Sequence, residues 1–273
     1  MTSVARKRRQ SDRDATPIDE SVVRTTFRTY QKELDAKHDR AERLVKTSRD
    51  LTTCSKRIIF LLHRIVGAAD RVPILVEAET KLADARRMLE KIAAELASDS
   101  SDDATHRYRR HYKWGVQEFV EALSFYHYCK SQSLIGYEET SKFLEFESSS
   151  SAAEPVESSS PSPPKQRNRA LRLDILPLDY VLGIADLTGE CMRMCINSVG
   201  CGELAHLGAM CDFVRAIYDA LRTLDGGASM TKEMEQKMDV MATSLRKMET
   251  TCYNVVVRGS ERPLSLMQPN DEE

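Results

Sequence analysis

Apolar residues recur along most of the chain at the period of an α-helix, about 3.6 residues. From residue 21 to residue 69 this pattern is broken in places, but it contains no proline and only one glycine, Gly67. It predicts one very long helix or two helices in tandem. A proline is favoured in a first helical turn, so Pro73 predicts the start of a second helix, which we expect to end near Ala97, before the polar stretch SDSSDD (98–103).

The remaining chain continues this helical pattern on both sides of a low-complexity segment. Residues 148–165, SSSSAAEPVESSSPSPPK, are rich in serine and proline and predict a flexible loop or linker. No stretch has the alternation expected of a sheet. The sequence therefore predicts an all-α fold with about seven helices, the last five over residues 105–131, 136–146, 177–199, 203–224 and 231–258.

Both ends of the sequence are polar and lack this periodicity. Residues 1–20 are charged and predicted to be disordered, and residues 262–273 form a polar tail that ends in acidic residues. The basic cluster RKRR (6–9) is explained equally well as a nuclear import signal or as part of a solvated tail. No signal peptide and no membrane association are expected. The most apolar run, IIFLLHRIV (58–66), is too short to span a bilayer and reads as a buried helix segment.

Composition narrows the function classes only slightly. A composition with 30% charged and 41% hydrophobic residues is typical of a soluble helical protein. The net charge of −2 does not by itself indicate a nucleic-acid-binding protein. The seven cysteines include no CxxC pair, which indicates a reducing compartment and free thiols. Cys191 and Cys195 are spaced like a metal-binding pair, but no further ligands accompany them at finger spacing, which favours a place in a helix core.

Two acids share one side of the predicted helix 177–199. Asp186 and Glu190 lie one turn apart, opposite the apolar side, and Gly189 stands between them. Like charges at this spacing mildly disfavour a helix. A solvated polar face is the ordinary explanation. Asp179, Arg193 and Asn197 are predicted on the same polar side.

The helix 105–131 weakens that ordinary explanation. Its main apolar stripe is Val116, Phe119, Val120 and Leu123, and the opposite side carries Arg110, Trp114, Glu118, Glu121 and Phe125. Acids between large aromatic residues indicate a helix buried on both sides, with Glu118 and Glu121 turned into a half-enclosed space. The alternative is a protein–protein interface with Trp114 and Phe125 as its anchors.

If the two acidic faces are opposed, Glu118, Glu121, Asp186 and Glu190 meet and repel one another. A divalent cation would resolve the repulsion, and carboxylate oxygens suit Mg²⁺. Gly189 would then let a substrate or a neighbouring backbone approach. Arg110 and Arg193 flank these acids and are candidates for holding phosphates. Lys56, Arg57 and Arg64 form a basic patch that could bind a polyanion, although a solvated helix face explains them equally well.

Five long segments resemble the translin family, and within it the translin-associated factor X (TRAX) subunits. They are ELDAKHDRAERLVKTSRD (33–50), SKRIIFLLHRI (55–65), GVQEFVEALSF (115–125), LDYVLGIADLTGECMRMCINSVG (178–200) and CYNVVVRGSE (252–261). The resemblance implies an elongated helical bundle of the translin type over residues 21–261. It also implies assembly with translin into a hollow hetero-oligomer, an octamer, found in the cytoplasm and nucleus.

The resemblance further implies a Mg²⁺-dependent endoribonuclease. Its substrates would be single-stranded or nicked RNA, including the siRNA passenger strand during activation of the RNA-induced silencing complex (RISC), and single-stranded DNA is a further ligand. The catalytic and metal-binding acids of the family fall on Glu118, Glu121 and Asp186, with Glu190 as a fourth acid. The alternative is a non-catalytic subunit that binds RNA or single-stranded DNA or acts as a scaffold. The expanded segment 148–165 departs from the family pattern.

Overall fold

Seven helices account for most of the described chain, as the apolar period predicts. The computed structural model describes residues 20–99, 103–146, 171–224 and 232–261. The predictions for RKRR (6–9), for the segment 148–165 and for the C-terminal tail 262–273 lie outside these residues. The helices are α1 (Glu20–His63), α2 (Val72–Ala97), α3 (Ala104–Ser131), α4 (Tyr137–Phe143), α5 (Pro177–Gly200), α6 (Leu207–Thr223) and α7 (Lys232–Glu261).

Two predictions about these elements need correction. Strands β1 (Glu145–Phe146) and β2 (Leu171–Arg172) pair antiparallel, although no sheet was expected. Strands of two residues are too short to show an alternating pattern, and β1 is held in part by Arg86, which donates to the carbonyl oxygen of Glu145. Helix α6 begins at Leu207 rather than residue 203, because the chain first makes a turn in which Gly202 has a φ of +76°.

The chain divides into two compact units, residues 1–42 and residues 43–273. Helix α1 runs uninterrupted through the boundary, so the tandem alternative for residues 21–69 is wrong. In the first unit, the apolar positions of α1 are solvent-exposed: Val22, Val23, Phe27, Tyr30 and Leu34. In the second unit, the apolar positions of α1 are fully buried: Leu44, Leu51, Ile58 and Leu62.

Helix α3 is the central element of the second unit. It packs against α2 and α5, and α5 packs in turn against α6 and α7. From Gly115 to Tyr126 every side of α3 is buried except at Glu118, which is half-buried, so the prediction of a helix buried on both sides is confirmed. None of the helices in the described ranges combines the length and the apolarity needed to cross a membrane.

Candidate functional site

A close approach of α3 and α5 brings the two acidic faces together. A Cβ atom added to Gly183 would lie 2.8 Å from the Cβ of Val120 and 2.9 Å from the carbonyl oxygen of Gln117. The two backbones can therefore meet at this distance only because residue 183 is glycine. Glu121 follows Val120 on α3, and Asp186 lies about one turn after Gly183 on α5.

Glu121 lies at the centre of the acidic cluster. It is 8% exposed, and burial raises the pKa of its carboxyl group to about 9, with further increases from the charges of Asp186, Glu118 and Glu190. The charge of Lys237 opposes this rise only in part. Within the described residues, no hydrogen bond or ion pair reaches the Glu121 carboxyl group. An ionised Glu121 would therefore add negative charge that the cations of the cluster do not compensate, and the carboxyl group keeps its proton at neutral pH.

The other three acids each contact a cationic or titratable partner from another helix. Lys56 Nζ on α1 lies 3.3 Å from Glu118 Oε1, and Lys237 Nζ on α7 lies 2.5 Å from both carboxylate oxygens of Asp186. His63 Nε2 lies 2.5 Å from Glu190 Oε2.

Sequence reasoning missed His63 and Lys237. His63 stands out as one polar residue in a buried run, which is a weak signal of a specific role. Lys237 gives no signal that separates it from the other lysines of α7.

These partners affect the acids differently. Burial raises the pKa of Glu118, and the charge of Asp186 adds to the rise, while Lys56 opposes both. Burial also acts to raise the pKa of Glu190, but His63 and Arg193 outweigh it, and the pKa falls below its ordinary value. The pKa values of the three glutamates are therefore shifted differently although the residues occupy one site: up at Glu118 and Glu121, and down at Glu190.

An open cleft of about 810 Å³ adjoins the acids. Glu118, Glu121 and Glu190 line it, whereas Asp186 does not, although its charge acts on both Glu118 and Glu121. Four of the five basic residues predicted to hold RNA also line the cleft: Lys56, Arg57, Arg64 and Arg193. The fifth, Arg110, lies outside it and donates a hydrogen bond from Nε to His111 at 3.0 Å.

The residues suit a metal ion by chemistry but are not arranged as a ligand set. In the described ranges, no group of three or more His, Cys, Asp or Glu side chains is placed to hold a metal ion. Four carboxylates are nevertheless hard oxygen donors of the kind Mg²⁺ prefers, and the Glu121 carboxyl group lacks any ion-pair partner among the described residues. Binding through all four acids would require Lys56, His63 and Lys237 to release the carboxylates that they contact.

Other sequence expectations near the site have mixed outcomes. Asp179, predicted on the polar face, is buried. Hydrogen bonds donated by Arg109 at 2.6 and 2.8 Å and by Gln117 at 2.7 Å compensate the burial of its carboxylate. A Cβ atom at Gly189 would meet nothing within 4 Å, so no neighbouring backbone of the described residues approaches there. Cys191 and Cys195 are both fully buried, which confirms their place in the helix core.

The aromatic anchors of the alternative interface are also separated. Trp114 is 55% exposed, with Lys113 Nζ 4.2 Å from its ring centroid. Phe125 is fully buried and packs against the His63 ring at a centroid distance of 5.0 Å. A partner protein could not reach Phe125 on this surface, so the two residues do not form a shared anchor.

Comparison with known sequences identifies the family. The profile of the translin family matches residues 39–259. The chain belongs to the translin family. Within that family it is similar to translin-associated protein X of Mus musculus, with 43% identity over 90% of this chain and 83% of the relative. The homologue from Schizosaccharomyces pombe is 26% identical over 86% of this chain and 89% of its own length. Translin of Gallus gallus is 22% identical over 87% of this chain and 93% of its own length.

Solved C3PO structures have the same fold. One is an AfC3PO–duplex RNA complex, with a TM-score of 0.63 and 18% identity over 87% of this chain and 100% of that chain. Another is a crystal structure of apo-NeC3PO, with a TM-score of 0.60 and 16% identity over 83% of this chain and 95% of that chain. This similarity confirms the all-α, seven-helix architecture of the translin type.

Proposed function

We propose that this chain is the catalytic subunit of a Mg²⁺-dependent endoribonuclease that it forms with translin as a hetero-octamer. The observation that carries the proposal is the convergence of four carboxylates beside a cleft that basic residues also line, with Glu121 the one acid of the four that no cation contacts among the described residues. The similarity to translin-associated protein X supports translin as the partner. The similar fold of AfC3PO, which was solved as a complex with duplex RNA, supports RNA as the ligand.

The acidic and basic residues of the site would have separate roles in such a reaction. Glu118, Glu121, Asp186 and Glu190 would hold Mg²⁺, which supplies an activated water and stabilises charge on the phosphate. Lys56, Arg57, Arg64 and Arg193 line the cleft, and they are suited to bind RNA phosphates. The preferred substrates are single-stranded or nicked RNA, including the siRNA passenger strand, because their flexible backbone can enter such a cleft more readily than a rigid duplex.

A second candidate function is an RNA-binding or scaffolding subunit without catalysis. One observation favours it: Lys56, His63 and Lys237 already contact Glu118, Glu190 and Asp186, as they would in a site built without a metal. The cations that line the cleft would serve either function.

Single substitutions in the purified assembly distinguish the two candidates. Glu118→Ala, Glu121→Ala and Asp186→Ala should each lower single-stranded RNA cleavage by roughly 100-fold or more, because each removes a proposed metal ligand. Each assembly should keep its mass, since deleting one crowded carboxylate does not weaken packing. Glu235→Ala removes an exposed acid elsewhere on α7 and serves as the matched control.

Binding of Mn²⁺, followed by its electron paramagnetic resonance signal, gives a second readout that does not depend on turnover. The three site variants should bind Mn²⁺ more weakly than the wild-type assembly and the control. If Asp186→Ala assembles normally, binds Mn²⁺ normally and cleaves at the wild-type rate, the catalytic proposal fails and the scaffolding function replaces it.

A further inference from the structure

Phe60 is the one exposed residue in an otherwise buried apolar run. In Ile58–Leu62 the four aliphatic residues are buried, whereas Phe60 is 73% exposed. The prediction that residues 58–66 form a buried segment is therefore wrong at this position, because α1 turns Phe60 away from the core. Isolated exposed apolar residues are common on protein surfaces. The surroundings of Phe60 are what make it informative.

Phe60 lines the same cleft as the acidic cluster. Glu118, Glu121 and Glu190 form part of that cleft wall. On α1, Lys56 and Arg57 lie one turn before Phe60, and Arg64 directly follows the end of the helix; all three also line the cleft. Residues three and four apart on a helix are surface neighbours, so Lys56 and Arg57 lie beside the aromatic ring on α1, and Arg64 adds a cation to the same cleft just beyond the end of the helix.

We propose that Phe60 is a stacking platform for one base of a single-stranded RNA whose neighbouring phosphate lies at the acidic cluster. This inference rests on the proposed function and adds a substrate-positioning residue to it. An aromatic ring between cations is a common way to hold single strands, because the ring stacks on a base while the cations contact phosphates. Every base has a π-face, so such a platform tolerates any sequence.

The platform also gives a reason for preferring single strands and nicks. Bases inside a continuous duplex are already stacked on their neighbours, and recognition by aromatic stacking needs a base that has left the stack. A base at a nick or in a single strand reaches Phe60 without that cost. The ring thus selects the substrate and holds it at the cleft.

The charges around Phe60 favour RNA over a partner protein. The cores of protein–protein interfaces are depleted of charged residues. Phe60 instead shares its cleft with cations from α1 and with three acids from α3 and α5. A partner protein that buried this ring would have to desolvate those charges as well.

The test measures binding separately from cleavage. Fluorescein-labelled single-stranded RNA is titrated with the translin assembly in EDTA, and anisotropy reports affinity. Phe60→Ala and Phe60→Leu should weaken binding by about 5- to 100-fold, whereas Phe60→Trp should bind at least as well as wild type. Tyr253→Ala removes a similarly exposed aromatic residue on α7, outside the cleft, and should bind like wild type.

A set of RNAs with a single abasic position, moved along the strand, locates the stacked base. The wild-type assembly should lose affinity at one position, and this loss should vanish in Phe60→Ala. Affinities of Phe60→Ala and Phe60→Leu equal to wild type, with the abasic penalty unchanged, would overturn the proposal. Failure of Phe60→Ala to assemble with translin would also overturn it and assign the ring to a protein interface. If the wild-type assembly does not cleave RNA but the abasic coupling is present, the nuclease proposal fails while the stacking site stands.

Discussion

Replacing Gly183 with alanine should destabilise the protein, although alanine favours helices. The new Cβ atom would lie 2.8 Å from Val120 Cβ and Cγ1 and 2.9 Å from Gln117 O. The Val120 Cβ and the Gln117 carbonyl cannot move without the backbone, so relief requires α5 to move away from α3. Overpacking of this kind costs about 1–3 kcal/mol, and here the upper half of that range applies because backbone must shift. The higher helix propensity of alanine offsets about 1 kcal/mol of this cost, so the free energy of unfolding should fall by about 1–2 kcal/mol.

Gly189→Ala on the same helix is the matched control. Its Cβ atom would meet nothing within 4 Å, so only the gain in helix propensity remains, about 0.5–1 kcal/mol of stabilisation. At about 2–4 °C per kcal/mol for a domain of this size, Gly183→Ala should melt about 2–8 °C lower than wild type and Gly189→Ala about 1–4 °C higher. Circular dichroism melts of each variant assembled with translin make the measurement.

The same pair of variants tests how the fold positions the site. A shift of α5 would separate Asp186 from Glu121, so Gly183→Ala should also lower RNA cleavage, whereas Gly189→Ala has no packing reason to do so. Equal melting temperatures for the two alanine variants would refute the argument that the helix approach at Gly183 leaves no room for a methyl group.

Three further outcomes are expected. The pKa of Glu121 is about 9 in the folded protein and 4.5 ordinarily, so the ionisation of Glu121 lowers the free energy of unfolding progressively as the pH rises from about 4.5 to 9. Urea unfolding in EDTA should therefore show that the free energy of unfolding of Glu121→Gln rises relative to that of wild type across this range. Asp179→Ala should lower the free energy of unfolding by roughly 3 kcal/mol in urea titrations, because it leaves the partly buried Arg109 guanidinium unpaired; an unchanged midpoint would contradict this. Lys237→Met frees Asp186 from a half-exposed ion pair, so calorimetry should find Mg²⁺ binding about fivefold tighter, and weaker binding would show that Lys237 supports the metal site.

The sequence predicts the helices well because their boundaries depend on local chemistry. The apolar period, together with Pro73 and Pro177, places α2 and α5 within a residue or two of their observed starts. The extent of α1 was harder to predict from the sequence, because a broken apolar pattern does not distinguish one long helix from two short ones. The pairing of β1 with β2 was not predictable, because a two-residue strand has no period to detect.

The acidic site could be predicted in part for the same reason. Spacings of three and four residues place Glu118 near Glu121 and Asp186 near Glu190 on their own helices, and this follows from helix geometry alone. Which side chains face them from other helices does not follow. The partners Lys56, His63 and Lys237 come from α1 and α7, whose packing beside α3 and α5 depends on the tertiary fold.

Those unpredicted partners change how the acidic cluster should be understood. From sequence, four unpaired carboxylates indicate a metal ion, but the folded chain supplies contacts to three of them and leaves only Glu121 without one among the described residues. Burial raises the pKa of Glu121, and the neighbouring carboxylates add to the rise, so its carboxyl group holds a proton that reduces the negative charge of the cluster. A cation bound near Glu121 would favour its ionised form, so metal binding and proton release are linked. Glu121 is therefore the residue at which we expect the competition between a proton and Mg²⁺ to be decided, and the ion pairs around it set how much reorganisation binding requires.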